Sequence, residues 1–224
     1  MKLPLRLTLE EKVDPSRSCL LVIDMQNDFC SPDGYWGQVG NDRSELVAMM
    51  PRLHALISSA RDAGTLVIFV KAIYDNHYLS APWLERNVRR KLEFSRCQAG
   101  TWGADFFEVK PEPNDLVVVK HRYSAFIGTE LDVILNAHGI ETIVLAGVAT
   151  NICVESTARD GFMLDYYVVV VGDCTAAKTV AAHEASLASI SDGFGVVSSG
   201  EGVMEVWAKA EGTITLHSAQ KTRA

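Results

Sequence analysis

The sequence lacks long apolar runs. Among its 224 residues, no apolar stretch approaches the roughly 18 residues that a membrane-spanning helix needs. The opening residues, MKLPLRLTLEEK, contain no apolar segment of the kind that a secretory signal carries. These features favour a cytoplasmic protein that has no membrane partner.

An excess of positive charge is also missing. The chain has 21 Lys and Arg against 28 Asp and Glu, which gives a net charge of -7. This sign argues against binding to a phosphate backbone, so we expect no nucleic-acid partner. The densest basic segment, residues 86–96, holds four Arg and one Lys. We interpret it as the solvated face of a helix.

Paired cysteine motifs are absent as well. The five cysteines are widely spaced and form no CxxC pair; they are Cys19, Cys30, Cys97, Cys153 and Cys174. Neither a disulfide framework nor a zinc knuckle is indicated. This pattern favours a reducing compartment in which one thiol is free to react.

What the sequence does contain is an alternation of β-branched runs with segments of helical period. This pattern is typical of a parallel sheet covered by helices on both faces, a doubly wound α/β domain. The strands are predicted at residues 19–23, 65–70, 116–119, 142–145, 166–171 and 195–197. The helices are predicted at 44–63, 130–138, 151–164, 183–191 and 202–210. The strand order cannot be derived from this pattern.

We predict a single domain over residues 1–224. Residues 1–16 form an N-terminal extension, and residues 73–114 form the longest segment without clear periodicity. An insertion of this length in a compact domain is often a lid over a functional site. An irregular segment that packs on a partner subunit is an equally good interpretation.

Three chemically capable residues follow predicted strands. Asp24 ends the first strand, Lys120 ends the third, and Cys153 lies shortly after the fourth. Ligands of open α/β sheets bind at the carboxyl ends of the strands. Each residue alone has an ordinary explanation, as a turn residue, a solvated strand end or a small core residue. Their occurrence together at three strand ends favours a catalytic site.

The three residues make a complete set for acyl transfer. Cys153 stands near the start of a helix, where unpaired N–H groups and the helix dipole lower the pKa of a thiol. Asp24 could accept the thiol proton and pass it to a leaving amine. The N–H groups of Ala149 and Cys153 are candidates for an oxyanion hole.

Four motifs in order resemble the isochorismatase-like cysteine hydrolases. They are LVIDMQNDF, VVVKHRYSAF, AGVATNICVESTARDGF and DYYVVVVGDCTAA. The resemblance implies that Asp24, Lys120 and Cys153 are the catalytic triad. It also implies a six-stranded parallel, Rossmann-like sheet in a three-layer α/β/α fold, and a homodimer or homotetramer. A cis peptide between Val148 and Ala149 is implied too, which would turn the Ala149 N–H toward the oxyanion.

Within that superfamily, the segment KHRYSAF is most similar to ureidoacrylate amidohydrolase and to related biuret and triuret hydrolases. That similarity implies that Tyr123 lines the substrate pocket. Gln26 and Phe29 would line it too if Asp24 faces it, with Gln26 supplying amide hydrogen bonds. Tyr74 and Trp102 are candidate wall or lid residues. Residues 72–100 have no counterpart in that subgroup's pattern.

No metal and no cofactor are predicted. The nicotinamidases of the same superfamily carry a metal site of one Asp and two His. Here Asp75 and His77 stand in roughly that region without a second His nearby. An isolated Asp/His pair is more often a surface hydrogen bond, since a catalytic metal usually has three protein ligands.

The function predicted from these residues is hydrolysis of a linear amide or ureido C–N bond in a small molecule, through a thioester on Cys153. A nicotinamidase-like activity or an N-carbamoyl amino acid amidase is the alternative within the superfamily. A nucleotide-binding module is the alternative of another class, because residues 168–179 resemble a strand followed by a phosphate loop. That loop normally has a glycine before its lysine, whereas Ala177 precedes Lys178 here.

Overall fold

The computed structural model describes residues 5–91 and 96–221, with side chains to residue 210. Six parallel strands form one sheet in the order β3-β2-β1-β4-β5-β6. The strands are β1 (Ser18–Ile23), β2 (Leu66–Ala72), β3 (Leu116–Lys120), β4 (Thr142–Val148), β5 (Tyr167–Ala176) and β6 (Val196–Ser198). The predicted six-stranded α/β fold is confirmed.

The two central strands, β1 and β4, are buried along their whole length. Alternate residues of β1 face opposite cores: Leu20 and Val22 belong to one, and Leu21 and Ile23 to the other. Because both faces must be apolar, these strands read as continuous hydrophobic runs rather than as an alternation. The carboxyl ends of β1 and β4 therefore lie at the middle of the sheet edge.

Helices cover both faces. Described helices longer than one turn are α4 (Ser44–Asp62), α5 (Ala81–Arg89), α6 (Leu131–Ala137), α7 (Glu155–Met163), α8 (Val180–Gly193) and α9 (Gly200–Lys221). Short helices α1 (Leu9–Lys12), α2 (Asn27–Cys30) and α3 (Tyr35–Gln38) precede them. Helices α4 and α9 pack on one face of the sheet, and α6, α7 and α8 supply the core of the other. The layers are therefore helix, sheet and helix.

The segment 73–114 has more regular structure than its sequence suggests. It contains α5 and two 3₁₀ turns, at Asn76–Tyr78 and Trp102–Ala104. It packs back on the sheet edge, where the Phe107 N–H donates to the Met25 carbonyl at 2.8 Å. Residues 92–95, which belong to the predicted basic segment, and residues 1–4 of the predicted extension lie outside the described residues.

Strand β5 is longer than predicted and continues to Ala176. After an irregularity in the β4–β5 pairing, Gly147 lies opposite Thr175 and Val148 opposite Ala176. The segment compared above with a phosphate loop is therefore largely extended strand. This extension brings Lys178 to the carboxyl edge of the sheet.

Within the described residues, no helix combines the length and the apolarity that crossing a membrane requires.

Gln26 holds the loop after β1 in place. Its side chain is fully buried. The amide nitrogen donates to the carbonyls of Ala72 and Ala104, each at 2.9 Å, and the amide oxygen accepts the Ala72 N–H at 2.7 Å. Both amide hydrogens are thus used by backbone groups. The prediction that Gln26 hydrogen-bonds substrate is wrong, because this side chain is bound to two other chain segments.

We expect the substitution Gln26→Leu to lower the free energy of unfolding by about 3 kcal/mol, since it leaves buried backbone groups without partners. Chemical denaturation measures this. Gln38→Leu is the matched control, because Gln38 is exposed and its loss should change stability by less than about 0.5 kcal/mol. Unchanged stability of Gln26→Leu would contradict the structural role.

Candidate active site

Asp24 and Lys120 form a buried ion pair at the carboxyl edge of the sheet. The Lys120 ammonium lies 2.8 Å from Oδ2 of Asp24, and the side chains are 0% and 1% exposed. Asp24 directly follows β1 with a φ of 53°, a conformation that Asp tolerates better than most residues. Lys120 is the last residue of β3 and also donates to the Arg122 carbonyl at 3.1 Å.

Burial and the partner's charge both shift the pKa values of the two residues. Burial raises the pKa of Asp24, although the positive charge of Lys120 works against that rise. Burial by itself lowers the pKa of Lys120, but the negative charge of Asp24 outweighs this effect, so the pKa of Lys120 is raised. The Asp24 carboxylate is also hydrogen-bonded to the Cys153 side chain. It is therefore in position to accept the thiol proton.

Cys153 lies on a π-helical turn, Thr150–Val154, between β4 and α7. The Ala149 carbonyl accepts hydrogen bonds from the N–H groups of Ile152 at 3.0 Å and Val154 at 3.2 Å. It accepts none from the N–H of Cys153, which lies between them in the described turn. Single π-helical turns are frequent at functional sites. The peptide bond between Val148 and Ala149, just before this turn, is cis.

The Cys153 thiol is more basic than the sequence suggested. Burial, with the negative charge of Asp24 adding to it, raises the pKa of Cys153 to about 12, while Lys120 lowers it less. The pKa is thus shifted in the direction opposite to the one predicted from the helix start. The position near a helix start is outweighed because the side chain is only 6% exposed and faces a carboxylate.

Gly147 allows the close approach of β1 and β4 at this edge. It lies opposite Ile23 in the pairing and has a φ of 105°. A Cβ at this position would collide with the Ile23 carbonyl. Since Asp24 follows Ile23 and Ala149 follows the end of β4, this glycine brings the two segments together.

A cavity of about 310 Å³ opens above the three residues and is lined by Asp24, Ala149 and Cys153. Of the predicted wall residues, Phe29, Tyr74 and Tyr123 line it. The Tyr123 hydroxyl is buried and has no hydrogen-bond partner among the described residues. It is therefore available to a bound molecule.

Trp102 does not line this cavity. It is 53% exposed and begins a 3₁₀ turn, and its carbonyl accepts from the Asn27 side chain at 2.7 Å. Its prediction as a wall residue is wrong, because the loop that carries it turns the ring toward solvent.

Sequence reasoning missed four basic residues of the cavity wall. Arg86, Arg90, Arg96 and Lys178 all line it. The interpretation of the basic segment as a solvated helix face is wrong for Arg96, which is only 8% exposed, whereas Arg86 is partly buried and Arg90 is exposed at the cavity rim. The spacing of Arg86 and Arg90, one turn apart without an acidic residue between them, was the available signal.

Asp75, of the Asp75/His77 pair for which no metal was predicted, has a structural contact. Oδ1 of Asp75 accepts the Ala99 N–H at 3.0 Å. In the part of the chain that the structure describes, no three His, Cys, Asp or Glu side chains are grouped so that they could hold a metal ion.

Comparison with known proteins identifies the family of the chain. The family described as "Isochorismatase domain" matches residues 18–202. Ureidoacrylate amidohydrolase RutB of Pantoea ananatis (strain LMG 20103) is 38% identical over 199 residues, covering 83% of this chain and 80% of that protein. The protein of the same name from Stutzerimonas stutzeri (strain A1501) is 37% identical over 209 residues, covering 87% and 84%.

Solved structures of hydrolases also resemble this chain. A cysteine hydrolase from Pseudomonas syringae pv. phaseolicola 1448A has a TM-score of 0.78 and 28% identity, over 94% of this chain and 100% of that one. N-carbamoylsarcosine amidase from Thermoplasma acidophilum has a TM-score of 0.68 and 27% identity, over 82% and 96%. The resemblance seen in the sequence motifs is confirmed, and the chain belongs to the isochorismatase family of hydrolases.

Proposed function

We propose that this hydrolase cleaves a linear amide or ureido C–N bond of a small molecule, with Cys153 as nucleophile, Asp24 as acid and base, and Lys120 as the charge partner of Asp24. The observation that carries the proposal is the buried Asp24–Lys120 pair beside the Cys153 thiol at the floor of a cavity. Relatives at 37–38% identity bear the name ureidoacrylate amidohydrolase, which supports this reaction class.

Acylation begins when Asp24 takes the thiol proton as Sγ of Cys153 attacks the substrate carbonyl. Because the pKa of Cys153 is raised to about 12, proton transfer and attack are best coupled in one step. The carbonyl electron pair moves to oxygen, which the N–H groups of Ala149 and Cys153 would hold. Collapse breaks the C–N bond, and Asp24 gives its proton to the leaving amine.

Deacylation uses the same carboxylate in the reverse sense. Asp24 accepts a proton from water as the water oxygen attacks the thioester carbonyl. The C–S bond breaks, and the departing sulfur takes that proton back from Asp24. Lys120 keeps its charge throughout and stabilises the carboxylate each time it forms. The net reaction consumes one water and releases an amine with an acid or carbamate.

The cavity, of about 310 Å³, favours a small substrate. Phe29 offers an apolar surface, and Tyr123 offers a buried hydroxyl without a partner among the described residues. A ureido compound fits this combination, since one planar group presents both a carbonyl and N–H donors. An N-carbamoyl amino acid amidase is the second candidate, and a structural neighbour at 27% identity is named N-carbamoylsarcosine amidase.

We expect Cys153→Ala to lower turnover at least about a thousandfold, because the nucleophile is lost. The measurement is ammonia release over ureidoacrylate, biuret, triuret, N-carbamoyl amino acids and nicotinamide. Cys174→Ala is the matched control: the same truncation of a buried cysteine that does not line the cavity should keep turnover within about twofold. Near-normal turnover in Cys153→Ala would contradict the mechanism.

The raised pKa of Cys153 predicts an unusual pH profile of alkylation. With a pKa of about 12, the rate of iodoacetamide labelling at Cys153 should still be rising between about pH 9 and pH 11, where an ordinary thiol has levelled off. Asp24→Asn removes a negative charge that raises this pKa, so the rise should move to lower pH while turnover is lost.

Peptide mass spectrometry at each pH measures the labelling. Asp33→Asn is the control, since Asp33 is exposed and does not line the cavity, and its profile should match that of the parent protein. A labelling rate that levels off below about pH 8 in the parent protein would contradict a neutral resting thiol.

A further inference from the structure

The cavity wall carries far more positive charge than the catalytic residues require. Its described lining includes Arg86, Arg90, Arg96 and Lys178, and its one carboxylate, Asp24, is already paired with Lys120. No carboxylate of the described residues lies within 4.0 Å of any of these four cations, in contrast to the ion pairs formed elsewhere in the chain.

Aromatic rings, rather than carboxylates, hold three of these four cations, Arg86, Arg96 and Lys178. The Arg96 guanidinium lies 5.7 Å from the Tyr35 ring centroid and 5.6 Å from that of Tyr74. The Lys178 ammonium lies 4.8 Å from the centre of the Trp36 ring. A ring face attracts a cation without consuming its N–H donors. The side chains are thus positioned while their donors stay available.

Arg86 is held in the same way on another part of the wall. Its guanidinium lies 5.8 Å from the Trp83 ring centroid and 5.4 Å from that of Tyr123. It donates one hydrogen bond, at 3.1 Å, to the neutral amide of Asn87. For Arg90, Arg96 and Lys178, no side-chain hydrogen bond to a described residue is formed.

The arginines of α5 and of the residue after it are paired differently on the solvent side and on the cavity side. Arg89 is exposed and forms an ion pair with Glu85 at 2.9 Å, one turn away. Arg86 and Arg90, also one turn apart, are like charges that both line the cavity. Two like charges at this spacing destabilise a helix. An anion that enters between them would relieve this repulsion.

The cations also act on one another. Burial lowers the pKa of Lys178, and the charges of Arg90, Arg96 and Arg86 lower it further. Burial likewise lowers the pKa of Arg86, with Arg96 and Arg90 adding to the effect. A single monovalent anion would leave most of this repulsion in place. The cations are moreover divided between the Tyr35–Trp36 wall and the Trp83–Tyr123 wall.

We propose that the substrate class of this site is an amide or ureido compound bearing two carboxylates, one received by Arg96 and Lys178 and the other by Arg86 and Arg90. This inference rests on the proposed function for the bond that is cleaved, but the anion preference itself is a property of the cavity and can be measured without turnover. The four residues act in binding and specificity, and the bond-breaking groups stay Cys153, Asp24 and Lys120.

The test compares N-carbamoyl-aspartate, which has two carboxylates, with N-carbamoyl-asparagine, which has one and nearly the same shape. Calorimetry on the full-chain Cys153→Ala variant measures the dissociation constants without hydrolysis. We expect the dicarboxylate to bind at least about tenfold more tightly, the gain of one charge-assisted contact. Ammonia release by the unsubstituted protein measures kcat/KM for the same two compounds.

The double variant Arg86→Gln/Lys178→Gln should reduce the preference for the dicarboxylate to below about threefold, because one cation is lost from each wall. Arg89→Gln, on the solvent face of α5, should keep the full preference. Equal binding of the two compounds, or a preference that survives the double variant, would overturn the inference even if both are hydrolysed. A tenfold preference without hydrolysis of either compound would support the inference and count against the proposed function.

Discussion

The buried ion pair between Asp24 and Lys120 is the interaction on which the site depends. Removing two charges from water costs several kcal/mol per ion, and the cost is recovered only when the partners meet in good geometry. Here the two atoms are 2.8 Å apart. The pair joins the carboxyl ends of β1 and β3, which are separated in the sheet by β2. Loss of either charge alone would leave the other buried without a partner.

The ion pair also bears on Cys153, the proposed nucleophile. Burial raises the pKa of Cys153 to about 12, and the charge of Asp24 adds to this rise, while the charge of Lys120 opposes it less. In the proposed mechanism, the carboxylate is the base that removes the thiol proton during attack. The floor of the cavity is then close to neutral, whereas its described walls are strongly positive. The two proposals thus assign bond cleavage and substrate selection to separate groups of residues.

The sequence predicted six parallel strands and placed Asp24 and Lys120 at their carboxyl ends, but it did not give the strand order. Strands such as β1 and β4 are continuous apolar runs because both of their faces are covered, and parallel strands necessarily bring Asp24 and Lys120 to the same edge. The end of β5 was missed because Gly172 and Asp173 within it are unusual in strands. Lys178 was therefore not placed at the site.

Other features depend on packing that local patterns do not contain. Gln26 comes shortly after a strand, where pocket residues are expected. Its side-chain amide is nevertheless hydrogen-bonded to the backbone of Ala72 and Ala104. The arginines of α5 have the composition of a solvated face, and only the tertiary fold shows which of them face the cavity. The pKa of Cys153 is set by burial against Asp24, which a helix position cannot reveal.

The central claim, a thioester on the path to product, is tested most directly by partitioning with hydroxylamine. Two amides with the same acyl group and different leaving amines are hydrolysed at several hydroxylamine concentrations, and the ratio of hydroxamate to acid is measured. Because both substrates would pass through one acyl-enzyme on Cys153, the account predicts the same ratio for both at every concentration. A ratio that depends on the leaving amine, or hydrolysis with no hydroxamate formed, would contradict it.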